Sequence, residues 1–375
     1  MRRAARGCLA LALLVSLAGC GKRGAESGRV AESAESPQLN VYSWSDYIAP
    51  DTVPTFEKLT GIKVRYDIFD SNEVLETKLL TGNTGYDIVV PTVNFFERQV
   101  KAGVYRILDK RLLTNLGNLD PELLRRLEQY DPGNQHAIPY MWSMVGLAYN
   151  RGEIERRLGA SPPTSWSLLL DPAIAAKLKD CGISMLDAPP DVIGATLSYL
   201  GKDPDTDDER ELSAAFDALR RIRPFIRNFD AQQYVSDLAN GSICLALGWS
   251  GDAVQSRNRA REAGNGVNVA FFVPREGSIM TLDAMAIPAD APHPRNAQVF
   301  MNYLMDPKVM AHITDKVGYP NGNLASLPFI APAMRNDPAI HPDAATRARL
   351  RMQHAKSLEY SRFLSREWTK LKTGS

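Results

Sequence analysis

Several places along the chain bring together side chains that could do chemistry. Gly248-Trp249-Ser250-Gly251 begins like a serine nucleophile turn. That turn needs Gly-x-Ser-x-Gly, and the last place is taken by Asp252, so a hydrolase serine is not expected. The five histidines, His136, His293, His312, His341 and His354, include no pair at the spacing with which one helix offers two ligands to a metal. Asp203, Asp205 and Asp207 imitate the start of a calcium loop. The sixth position, which needs Gly, is Asp208, and the twelfth, which needs Glu, is Ala214. They read as a solvated acidic turn. No Gly-rich phosphate loop is present, and neither a metal nor a cofactor is expected. What remains is a set of Trp, Tyr and Asp residues in short turns: Trp44-Ser45-Asp46-Tyr47, Pro91-Thr92, Asp187 to Asp191, and Trp249 to Asp252. Aromatic faces attract cations, and carboxylates pair with ammonium groups. A slot with aromatic walls and carboxylates at its ends suits a dication with an apolar stem. Taken singly, each residue has a plainer explanation as a core aromatic or a turn-forming Asp.

These turns follow strands. Leu39–Ser43 reads as a strand, then a helix near Val53–Leu59 closed by Gly61, then a strand over Ile62–Phe69. Ser71 is placed to cap a helix with Val74, Leu75 and Leu79 inside. Asp87–Val90 is a third strand, and Phe95–Ala102 a helix. A second series follows. It has strands at His136–Met141, Ile183–Leu186, Ile243–Gly248, Val267–Val273 and Thr281–Ile287. Trp166–Leu170 reads as a helix or turn. Helices are read at Val192–Leu200, Leu212–Ile222, Ala297–Met305 and Pro307–Thr314. Alternation of this kind predicts α/β lobes on a largely parallel sheet. Ligands of open α/β sheets bind at the carboxyl ends of strands, and two such lobes face each other across a cleft.

The ends and the composition limit the setting. Arg2, Arg3 and Arg6 precede an apolar run over Cys8–Ala18, too short to span a bilayer and of signal-peptide length. Leu17-Ala18-Gly19-Cys20 resembles a bacterial lipobox, which implies cleavage before Cys20 and lipid on its sulfur. Residues 21–36 are small and polar and read as a flexible tether. The remainder is longer than one core usually accommodates, so two lobes are expected. A net charge of +1 and no basic block make nucleic acid a poor partner. Outside the leader only Cys181 and Cys244 are left, a candidate disulfide in an exported chain or two buried thiols.

Longer stretches carry a family likeness. Ser43-Trp44-Ser45-Asp46-Tyr47-Ile48-Ala49-Pro50, Tyr66-Asp67-Ile68-Phe69-Asp70-Ser71-Asn72-Glu73, Tyr86-Asp87-Ile88-Val89-Val90-Pro91, Leu186-Asp187-Ala188-Pro189 and Asp237-Leu238-Ala239-Asn240-Gly241 closely resemble the periplasmic polyamine-binding proteins of ABC importers, in particular their putrescine-binding members. The resemblance implies a two-lobed type II periplasmic-binding-protein fold, α/β in class, with a ligand cleft between lobes. Lobe 1 would take residues 37–143 and 271–310, and lobe 2 residues 144–270 and 311–375. It implies the Cys181–Cys244 disulfide. It places aromatic and hydroxyl contacts on Trp44, Ser45, Tyr47 and Thr92, and ammonium-binding carboxylates on Asp191, Asp252 and Asp283. Further aromatic contacts fall on Trp249 and Tyr319, with Asp46 at the cleft mouth. It implies no enzyme activity, a monomer, a membrane permease as partner, and a periplasmic or cell-surface location. Three positions depart from the family: Thr92 replaces Ser, Asp191 replaces Glu, and Thr281 stands where a stacking Phe or Trp is usual. The alternatives are a binder of spermidine, agmatine or another amine, and a polyamine-sensing receptor component. An exported hydrolase would need a nucleophile–base pair or a metal site, and the sequence offers neither.

Overall fold

The structure, a computed structural model, describes residues 35–160 and 162–374. The expected leader, Cys20 and most of the tether lie outside the described residues. Glu35 and Ser36, at the tether's end, are held: the Glu35 carboxylate accepts from the N–H groups of Arg295 and Asn296 in the first turn of helix Pro294–Leu304. A carboxylate is favourable there because the first N–H groups of a helix have no partner within it.

Ten strands form one mixed sheet: β1 (Gln38–Trp44), β2 (Lys63–Phe69), β3 (Ile88–Val89), β4 (Ala137–Asn150), β5 (Ile183–Met185), β6 (Asn228–Phe229), β7 (Leu245–Trp249), β8 (Val269–Phe272), β9 (Ser278–Ala286) and β10 (Leu350–Arg351). The order is β2-β1-β3-β9-β4-β7-β5-β6, with β8 beside β4 and β10 beside β9. The flanks, β2-β1-β3 and β7-β5-β6, are parallel as expected. The centre differs, because β9 runs antiparallel to β3 and β4, and β4 antiparallel to β7 and β8. The cause is the length of β4. The sequence reading ended this strand at Met141, but every residue from Ala137 to Tyr149 is buried. A strand covered on both faces reads as a continuous apolar run rather than an alternation, so its far half carried no period to detect. Residues 137–144 pair with β9 and residues 145–150 with β7 and β8. The strand therefore runs from one lobe into the other. Pro139 sits at a register shift in it, where a missing N–H does least harm.

Each lobe has its own core. Ile88, Ile138, Met285 and Phe300 belong to one, with Phe96, Met144 and Leu282 in a cluster on the other side of the same strands. Trp166, Ile193, Phe216, Tyr234 and Leu247 belong to the second. Helix Pro307–Val317 packs with the first core through Met310, Ile313 and Val317. The C-terminal helix Leu358–Thr373, which the sequence reading passed over, packs Leu364, Trp368 and Leu371 into the second.

Ser71 caps helix Asn72–Thr81 by accepting from the Val74 N–H at 3.2 Å. Leu75 and Leu79 are buried on its inner face, whereas Val74, expected inside, is 46% exposed. Cys181 and Cys244 form a disulfide that closes a loop of 63 residues. On the chain-entropy model such a loop stabilises the fold by about 4 kcal/mol. The acidic turn holds a side chain rather than a metal: Lys356 Nζ lies 2.8 Å from Asp205 and 2.7 Å from Asp207. Among the described residues no group of His, Cys, Asp and Glu could hold a metal ion. No helix among them is long and apolar enough to cross a membrane.

Candidate functional site

Nine of the ten residues singled out as ligand contacts line one cavity of about 140 Å³: Trp44, Ser45, Tyr47, Thr92, Asp191, Trp249, Asp252, Asp283 and Tyr319. Thr281 lines it too. Its walls come from both lobes and from the central strands. Asp46 does not reach the wall. It adopts a φ of 50°, a region that Asp tolerates better than most residues, and its side chain is 64% exposed. Its carboxylate lies 2.9 Å from the guanidinium of Arg259.

The aromatic walls are fixed from behind. At the end of β1 the Trp44 indole donates to the Val90 carbonyl at 2.9 Å, and its ring packs on Phe69 at 4.4 Å. Tyr47 meets Tyr319 edge to face at 4.9 Å, and the Tyr47 carbonyl accepts from the Tyr140 hydroxyl. Trp249 ends β7, and its indole donates to Asp191 at 2.9 Å. Gly251 follows because no side chain fits there. A Cβ at this position would lie 2.3 Å from the Tyr319 ring.

Three carboxylates face this space, and their exposures are 8% for Asp191, 9% for Asp252 and 7% for Asp283. Asp191 stands in the first turn of helix Pro189–Tyr199 and Asp252 in that of helix Ser250–Ala263, where the helix dipole favours negative charge. Asp283 lies on β9. Its oxygens accept from the Tyr47 hydroxyl at 2.6 Å and the Thr92 hydroxyl at 2.7 Å. Asp252 accepts from the hydroxyls of Tyr234 and Tyr319. Among the described residues none of the three has a cationic side chain within 4 Å, Arg259 acting on Asp252 only from further away. Burial raises all three: Asp191 to about 7, and Asp252 and Asp283 to about 6, against the hydroxyl and indole hydrogen bonds that lower them.

The structure adds residues that the sequence reading did not assign. Asn72 donates to the Thr92 hydroxyl and accepts from the Thr92 N–H, both at 3.0 Å, so the hydroxyl proton is left for Asp283. Asn72 lies inside the quoted Asp70-Ser71-Asn72-Glu73 stretch, which is the signal that could have found it. Glu73 and Asp187 also reach the cavity wall. Asp187 is already engaged by the Trp368 indole and by Lys372, both at 2.7 Å. Tyr234 carried no signal, being one buried aromatic among many.

This arrangement of buried carboxylates and aromatic faces suits a cation. Ser250, the residue of the rejected serine turn, shares contacts with the Ser143 hydroxyl and has no His beside it.

The family model for bacterial extracellular solute-binding proteins matches residues 51–342. The putrescine-binding periplasmic protein SpuD of Pseudomonas aeruginosa is 47% identical over 375 residues, covering 100% of both chains. The putrescine-binding periplasmic protein PotF of Escherichia coli is 50% identical over 344 residues, 91% of this chain and 93% of that one. Among solved structures, a putative spermidine/putrescine ABC transporter protein from Listeria monocytogenes superposes with a TM-score of 0.81 at 26% identity, over 91% of this chain and 100% of that one. The fold is thus the two-lobed one, and the chain belongs to the bacterial extracellular solute-binding proteins, which are binding proteins and not enzymes.

Proposed function

We propose that the protein captures a small polyamine, a diamine of the putrescine type, outside the cytoplasm and delivers it to the permease of an ABC importer. One observation carries this reading: three buried carboxylates share an aromatic-walled cavity, and among the described residues none has a cationic side chain within 4 Å. Burying such charge is unfavourable unless a partner arrives. A dication supplies that partner at both ends of an apolar stem. The names of the relatives support the same ligand class. In this reading Asp252 and Asp283 take ammonium groups, Asp191 adds charge, and Trp44, Tyr47, Trp249 and Tyr319 enclose the stem. Ser45 and Thr92 contribute hydroxyls, while Asp46 pairs with Arg259. The switch of partners along β4 supports a lobe boundary near residue 144. The packing of helix Pro307–Val317 supports extending lobe 1 past 310, to about Tyr319.

Thr281 supports a second reading within the class. Its methyl and hydroxyl replace a ring against which a methylene stem would bury, and Glu73 adds an acceptor to the cavity lining. A longer or more polar amine, spermidine or agmatine, would use both. Titration calorimetry of wild type and Thr281→Phe with putrescine, spermidine and agmatine separates the two. A putrescine site gains in the Phe variant by about 0.5–2 kcal/mol. Loss in that variant of a ligand that the wild type holds tightly assigns Thr281 to that other amine instead.

The lipobox-like Leu17–Cys20 supports a domain tethered by lipid to a membrane surface. A fatty-acid analogue is expected to label the wild type and not Cys20→Ala. Equal labelling of both, or of neither, contradicts the anchor.

A further inference from the structure

Tyr234 lies behind Asp252, off the cavity wall. It opens helix Tyr234–Asn240 and is fully buried in the second core. Its hydroxyl stands 2.6 Å from Asp252 Oδ2 and 3.1 Å from the backbone nitrogen of Trp249. The direction of these bonds is decided by chemistry. An amide N–H can only donate, so the phenol oxygen accepts from Trp249, and the single phenol proton is left for the carboxylate. The ring cannot turn away. β7 lies directly against it, and a Cβ on Gly248 would sit 2.7 Å from a ring carbon and 2.8 Å from the hydroxyl. The helix start is fixed in turn by Asp230, which accepts from the N–H groups of Gln232 and Tyr234.

We propose that Tyr234 is a positioning residue for the cation site: with a proton it can give only to Asp252, it holds that carboxylate ionised and turned so that its remaining lone pairs face the cavity. The inference rests on the cavity being a cation site. A carboxylate accepts about four hydrogen bonds. One from Tyr234 and one from Tyr319 leave both oxygens able to take a further donor. The other groups acting on Asp252 are Tyr47, whose ring faces Tyr319, the Asp46 carboxylate, which raises its pKa, and the Arg259 guanidinium, which lowers it. None of them bonds to it directly. Among the described residues Tyr234 is therefore the one donor from its own lobe's core, and its hold does not depend on the opposite wall.

The test is Tyr234→Phe, which keeps the ring and removes the proton. The Asp252 carboxyl is followed by carbon NMR against pH in the ligand-free protein, and assigned with Asp252→Asn. Its midpoint is expected to rise by about one pH unit, the loss of one hydrogen bond to the charged form. Putrescine affinity at neutral pH is expected to fall about tenfold, and this effect is expected to vanish in the Asp252→Asn background. If the Phe variant does not fold, an isosteric difluorotyrosine at position 234, a stronger donor, is expected to move the midpoint down instead. A midpoint within about 0.2 unit of wild type in whichever variant folds overturns the proposal. If the midpoint moves as expected and no amine binds the wild type, the positioning role stands and the polyamine reading fails.

Discussion

Asp252→Asn and Asp283→Asn are each expected to weaken putrescine binding by at least tenfold while leaving the fold intact. An ammonium group entering the cavity leaves its water behind and recovers that loss only from fully placed acceptors. Removing one partner of a desolvated charged pair costs about 2–5 kcal/mol. The amide adds a second fault. Asp252 accepts from two hydroxyls and Asp283 from two more. An Asn offers one oxygen, so one hydroxyl in each set would face an N–H. Calorimetry with each variant, beside a thermal unfolding curve, measures both effects. Near-native affinity in both variants would exclude the cleft chemistry.

The second large effect is on pH. All three carboxylates are raised, chiefly by desolvation, to about 7 for Asp191 and about 6 for Asp252 and Asp283. A carboxyl raised in the folded state stabilises the fold below its unfolded value, near 4. That contribution is lost as pH climbs through the folded value. The ligand-free domain should therefore lose stability from these groups between about pH 4 and pH 7. Binding has the opposite sign. A diammonium ligand prefers the ionised carboxylates, so affinity is full above about pH 7 and falls as pH drops through 6. Each carboxyl that must ionise contributes up to about tenfold per pH unit below its own value. Putrescine affinity is expected to fall by more than tenfold between pH 7.5 and pH 5. The thermal shift it produces should shrink in parallel, because ligand stabilisation follows affinity. A flat affinity over that range would mean that the carboxylates are not the partners.

Much of this was legible before any coordinate, and the limits have physical reasons. Short strands ended by polar turns were found because their edges carry Gly, Pro, Asp and Ser. Helix Asn72–Thr81 was found from its cap. The antiparallel centre was missed because β4 is buried on both faces and shows no alternation. The cavity residues Trp44, Asp252 and Asp283 were placed through resemblance to a family, since each alone is an ordinary core aromatic or turn Asp. Composition could say that an aromatic and acidic slot suits a dication. It could not say that residues 44, 92, 191, 252, 283 and 319 meet. Asn72 lay within a quoted family stretch, and Tyr234 lay beyond reach altogether. Its role depends on which way a hydroxyl proton points, and that is set by neighbours distant in sequence, as with Trp249 and Tyr234.

A two-ended cation site must distinguish a diamine from a monoamine of the same stem. Titration calorimetry at pH 7.5 compares putrescine with butylamine, which has the same four-carbon stem and a single ammonium group. Putrescine is expected to bind one to one, and butylamine about a hundredfold more weakly or less well still, since it leaves buried carboxylates without a partner. Equal affinity for the two amines, or no binding of putrescine, spermidine or agmatine, would contradict the account.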